Sequence, residues 1–234
     1  MGSGGGRSGR AAFFDVDETL IALKSMFRFL RFHLAERGLP TAVYDRLSRD
    51  LADLAAAGVP REETNRAYYR IYADQKADRL AEQGGRWFAA EVAEPGFLVP
   101  ETVAALAGHR AAGDLTVLVS GSFPACVDPL AEWLGADVAV CSQPAVRHGS
   151  LTGELVGSPV IGEGKAAAVR GVLADAGIPA SACSAYGDHA SDLPMLEAVG
   201  RPVVVGDDPR LRTAADRGGW TVLPIAVPAA GRTG

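Results

Sequence analysis

The chain has 234 residues, room for one large or two small domains, and its 48% apolar against 22% charged content is that of a protein able to bury a core. A formal net charge of −5 argues against nucleic acid or an anionic membrane as a main partner, and no apolar run is long enough to span a bilayer. Residues Met1 to Arg10 are rich in Gly, Ser and Arg without the apolar centre of a secretory signal, so 1–10 reads as a disordered lead, and Pro228 to Gly234 looks equally loose. Cys126, Cys141 and Cys183 are odd in number and widely spaced, which speaks against a disulfide framework or zinc pattern and for small buried hydrophobes in a reducing cytoplasm.

Ala11-Ala12-Phe13-Phe14 is short, aromatic and continuous, the signature of a buried strand. Residues 24–95 then break into helical spacing with no strand. Val43, Leu47, Leu51 and Leu54 mark one helix. Ala67, Ile71 and Leu80 with Tyr68, Tyr69 and Tyr72 suggest a second, and Gly38-Leu39-Pro40, Gly58-Val59-Pro60 and Gly84-Gly85 read as punctuation. From residue 101 the chain alternates: helix 101–112, strand 115–119, helix 124–134, strand 137–141, helix 164–176, strand 183–186, helix 192–199, strand 202–205, helix 211–217 and strand 220–223. No element is assigned between 142 and 163. Alternation of this kind predicts an α/β class with a Rossmann-like three-layer core around a parallel sheet, built from 11–23 and 96–227, with 24–95 inserted as a small α-helical cap.

The acids come at the ends of these strands. Asp15-Val16-Asp17-Glu18-Thr19 follows the first one directly, where a parallel sheet opens into its ligand crevice. Two desolvated carboxylates repel each other unless a cation lies between them, and an all-oxygen pair suits a hard divalent ion, Mg²⁺ above all. One Asp can then attack phosphorus while the other shuttles a proton. Ser120-Gly121-Ser122 ends the second strand with a hydroxyl and a glycine, a combination that grips an anion. Lys24, Lys76 and Lys165 are the only lysines, and Lys165 stands at a helix start, where positive partial charge disfavours it unless an anion is present. Gly187-Asp188-His189-Ala190-Ser191-Asp192-Leu193-Pro194-Met195 supplies a further acidic pair after the strand ending at Tyr186; His189 alone in a loop reads as solvated.

Acid pair, hydroxyl, lysine and acid pair in this order resemble the haloacid dehalogenase superfamily, in its phosphoserine-phosphatase-like branch with a helical cap. The resemblance implies Asp15 as nucleophile forming an aspartyl-phosphate, and Asp17 as general acid and base. It implies Mg²⁺ held by Asp15, by Asp17 through its backbone carbonyl, and by Asp188. Ser120 and Lys165 would hold the phosphoryl oxygens, while Thr19 and Asp192 would support the metal from behind. Lys24, Gly121, Ser122 and Ser191 complete the expected substrate contacts. Two departures matter: Ser191 stands where phosphoserine phosphatases usually carry Asn, and Lys24 lies nine positions after Asp15, where they place an acid for the substrate's amine. The activity expected is hydrolysis of a small phosphorylated metabolite. A phosphotransferase or phosphomutase with the same intermediate is the alternative, ahead of a non-catalytic binding protein.

Overall fold

The computed structural model describes residues 8–225, so most of the expected N-terminal lead and the C-terminal tail lie outside the described residues. In chain order, β1 (Ala11–Phe14) is followed by α1 (Ser25–Glu36), α2 (Thr41–Ala56), α3 (Arg61–Arg70), α4 (Ala77–Val92) and α5 (Pro100–Ala111). Then come β2 (Leu115–Ser120), α6 (Pro124–Leu134), β3 (Val138–Cys141), β4 (Gln143–Arg147), β5 (Ser150–Val156) and α7 (Glu163–Ala176). The chain closes with β6 (Ser184–Gly187), α8 (Leu193–Glu197), β7 (Arg201–Val205), α9 (Pro209–Gly218) and β8 (Thr221–Leu223). No helix among the described residues is long and apolar enough to cross a membrane.

Six strands form one parallel sheet in the order β3-β2-β1-β6-β7-β8. All four residues of β1 are buried, because the strand is central and helices cover both faces. Its side chains alternate. Ala12 and Phe14 join Leu106, Val127 and Leu130 on one side. Ala11 and Phe13 join Val169, Leu173, Met195 and Leu211 on the other. The crossover places the carboxyl ends of β1, β2 and β6 side by side, and thereby the loops that begin at Asp15, Gly121 and Asp188.

Helices α1 to α4 form the inserted module, yet its apolar residues do not make a core of their own. Phe29, Tyr68, Tyr69, Tyr72 and Trp87 belong to the same cluster as Phe14 and Leu118. The ring of Phe123, just after β2, packs against Phe29 and all three tyrosines with centroids 5.4–6.1 Å apart. That aromatic density welds the cap to the sheet edge above the crevice.

Three sequence expectations change here. The tyrosine-rich stretch is not one helix with Leu80: α3 ends at Arg70, Asp74 takes a left-handed φ of +64°, and α4 starts anew at Ala77. Gly84-Gly85 is not a break. It lies inside α4, where a Cβ on Gly84 would collide with the backbone carbonyl of Ala125, so glycine is what lets α4 lie against α6. The unassigned stretch after Cys141 folds as the antiparallel β4–β5 hairpin, turning at His148-Gly149, both with φ above +50°. It is tied to the α3–α4 turn by Asp74 N–H to Leu151 O, Leu151 N–H to Gln75 O and Ala77 N–H to Gly149 O. At the other end of the chain, Ser8 and Arg10 are held to the Asp114 carboxylate, at 2.5 and 2.8 Å.

Candidate active site

The strand end at Phe14 hands Asp15 to the crevice, with its N–H bonded to Tyr186 O at 2.9 Å. Asp15 Oδ1 accepts the Val16 N–H at 2.7 Å and lies 2.6 Å from Lys165 Nζ. The same ammonium reaches Asp192 Oδ1 at 2.5 Å. Lys165 is 4% exposed and Asp192 fully buried, so the cation at the start of α7 has the anionic partners its position demanded. Burial alone would push the lysine down, but the charges of Asp15 and Asp192 outweigh it and hold the ammonium protonated.

One lysine does not balance three acids. Carboxylate oxygens of Asp15, Asp188 and Asp192 all lie within 4.8 Å of one another. Burial, reinforced by the charge of Asp192, pushes Asp15 well above the ordinary carboxylate range in spite of Lys165. Asp188 rises to about 6 for the same two reasons, against the opposing hydrogen bond from Thr19 Oγ1 at 2.8 Å. Thr19 is fixed in turn, since Thr102 Oγ1 donates to its carbonyl at 2.6 Å. An all-carboxylate set with surplus negative charge fits a hard divalent cation and offers nothing to a soft one.

Asp17 stands apart from that cluster. Its Oδ1 is buried and has no hydrogen-bond partner among the described residues. Burial raises its carboxyl to about 6, with hydrogen bonds from the side chain and backbone of Ser25 pulling the other way. A carboxyl poised near neutrality suits proton transfer in both directions.

The turn after β2 completes the floor. Ser120 is 2% exposed, and its Oγ accepts the Ser122 N–H at 3.0 Å. Ser25 Oγ donates to Ser122 Oγ at 3.0 Å. A Cβ on Gly121 would come within 2.7 Å of Ile161, so the loop needs glycine there to pack.

Two expected contacts sit further out. Lys24 is 59% exposed along its side chain and faces Glu18 Oε2 at 3.5 Å, at the crevice mouth. The Ser191 hydroxyl lies 3.0 Å from His189 Nδ1, within its own loop. His189 is not merely solvated. Its Nδ1 accepts the Ser191 N–H at 3.0 Å and faces Arg61 Nη1, on the cap helix α3, at 2.9 Å. Burial and the Arg61 charge both lower its pKa, which keeps that nitrogen an acceptor.

Sequence reasoning missed Arg61, Asn65 and Tyr69, all on α3. Asn65 Nδ2 and Tyr69 OH both donate to Gly121 O, at 3.0 and 2.8 Å. Arg61 offers the signal that singled out Lys165, a cation in the first turn of a helix, and Asn65 is a weak helix former inside one.

The family model for haloacid dehalogenase-like hydrolases matches residues 12–197, which includes the carboxyl ends of β1, β2 and β6. The chain belongs to this family. It is 33% identical over 232 residues to a probable phosphatase of Mycobacterium tuberculosis, covering 95% of this chain and 77% of that one. It is 31% identical over 226 residues to the phosphoserine phosphatase SerB1 of the same organism, covering 93% and 71%. A solved protein of unknown function from Bordetella pertussis Tohama I superposes with a TM-score of 0.81 at 31% identity, covering 92% of this chain and 97% of that one. The acids, the hydroxyl and the lysine brought together here all fall within the matched residues.

Proposed function

We propose that this hydrolase is a Mg²⁺-dependent phosphatase acting on a small phosphate monoester. The observation that carries the reading is the buried lysine held between Asp15 and Asp192, with Asp188 beside them and Ser120 at the neighbouring strand end. Asp15, Asp188 and the backbone carbonyl of Asp17 would hold the cation, which neutralises phosphoryl charge when bound. Asp15 attacks phosphorus and carries the phosphoryl group as an aspartyl-phosphate. Lys165 and Ser120 bind the phosphoryl oxygens and steady the charge that builds on them. Asp17 donates its proton to the leaving oxygen, then accepts one from the water that hydrolyses the intermediate. The phosphatase names of two relatives support the reaction class.

The test is hydrolysis of p-nitrophenyl phosphate with Mg²⁺ and with EDTA, by the native chain, Asp15→Asn and Asp17→Asn. EDTA and Asp15→Asn should abolish turnover, and Asp17→Asn should lower kcat by ~10²–10⁴. Borohydride should reduce the Asp15 acyl-phosphate accumulated in the Asp17 variant. Undiminished release of nitrophenol by Asp15→Asn would end the proposal. Phosphate appearing on an added alcohol in preference to water would reassign the enzyme as a phosphotransferase.

A further inference from the structure

Helix α3 lies across the carboxyl edge of the sheet. Arg61 at its start reaches His189 in the loop after β6, while Asn65 and Tyr69, one and two turns on, reach Gly121 in the loop after β2. Asn65 is 7% exposed. Its orientation is fixed by chemistry: the carbonyl of Gly121 takes only a donor, so the amide nitrogen must face it. Oδ1 then points away from that bond, and among the described residues nothing donates to it. A buried acceptor without a partner is costly, of order 1–3 kcal/mol, and native structures seldom leave one unless something else arrives.

What arrives is set by the neighbours. Asn65 Nδ2 is 3.6 Å from Met26 Sδ. Met26 follows Ser25, whose polar groups bear on the Asp17 carboxyl. Asn65, through Gly121, and Ser25, through Ser122, thus meet on the same loop after β2, and the leaving alcohol must lie beside Asp17 if Asp17 protonates it. The other buried oxygen without a partner in this region is Asp17 Oδ1 itself.

We infer that Asn65 Oδ1 accepts a hydrogen bond from a hydroxyl on the alcohol portion of the phosphate ester, and so selects hydroxylated substrates over alkyl ones. The inference rests on the phosphatase reading and names the substrate class of the same site. The Nδ2 bond to Gly121 meanwhile ties the selecting residue to the phosphate loop, so alcohol and phosphoryl group are read by one connected set of groups.

The test compares kcat/KM for glycerol 3-phosphate and n-propyl phosphate, with p-nitrophenyl phosphate as the reference for activity. The native enzyme should prefer the glycerol ester by about tenfold, the worth of one well-placed hydrogen bond. Asn65→Leu keeps the size, leaves Tyr69 on Gly121, and should bring the two esters within about twofold. Asn65→Asp retains an acceptor and should keep the preference even if overall activity falls. The ratio cancels any loss of stability or catalysis common to both esters. Equal use of the two esters by the native enzyme, or an unchanged ratio in Asn65→Leu, would overturn the inference while leaving the phosphatase reading intact. Failure to hydrolyse p-nitrophenyl phosphate with Mg²⁺ would refute that reading and the inference with it.

Discussion

Replacing Lys165 by Met tests whether the buried acids depend on their one internal cation. The ammonium sits 2.6 Å from Asp15 and 2.5 Å from Asp192, and Lys165 is 4% exposed. Methionine fills nearly the same space, so the cavity contribution is small. The loss is electrostatic: three carboxylates within 4.8 Å are left facing each other. Removing one partner of a buried ion pair costs about 3–5 kcal/mol. At roughly 2–4 °C per kcal/mol for a chain of this size, the melting temperature in EDTA at about pH 7.5 should fall by ~6–20 °C. Protonation limits the damage. Without the lysine the folded-state pKa values of Asp15 and Asp188, already raised, rise further, so the folded variant binds more protons than the unfolded chain and its deficit shrinks as pH falls. Melts followed by circular dichroism in EDTA at about pH 7.5 and about pH 5 measure both effects. A variant within about 2 °C of the native protein at the higher pH, or a deficit that grows on acidification, would refute the account.

Asp188 has a folded pKa of about 6 against an ordinary 3.8, so in EDTA its contribution favours the folded state below about pH 4 and is progressively lost as pH rises to about 6. Asp188→Asn should flatten that fall, and saturating Mg²⁺ should remove it from the native protein; parallel Tm–pH curves for the two proteins in EDTA would contradict the assignment. Gly84→Ala places a methyl group on the Ala125 carbonyl and should cost about 1–3 kcal/mol, read from urea unfolding, although Ala is the better helix former. A stabilised Gly84→Ala would mean that α4 and α6 do not lie as closely as described.

The sequence by itself determined the sheet and which polar groups stand at its edge. A fully apolar β1 followed at once by Asp15 is a local pattern, and so are Ser120 at the end of β2 and Asp188 after β6, because burial on both faces and the position of the polar residue that ends each run are written in consecutive letters. Lys165 was legible for a similar reason, as a charge that offends its own helix terminus. The β4–β5 hairpin was not. The alternation of Leu151, Gly153 and Leu155 is weak, and its inward face is defined by α3, some 80 residues earlier in the chain. Gly84 looked like a helix breaker because propensity is local, whereas the reason for glycine is the approach of α6. Asn65 and Arg61 were hidden likewise: their partners Gly121 and His189 lie 56 and 128 positions away. Strand ends can be read from neighbours in sequence, but which cap residue roofs which loop depends on how the tyrosine cluster docks on Phe123, and only the tertiary structure decides that.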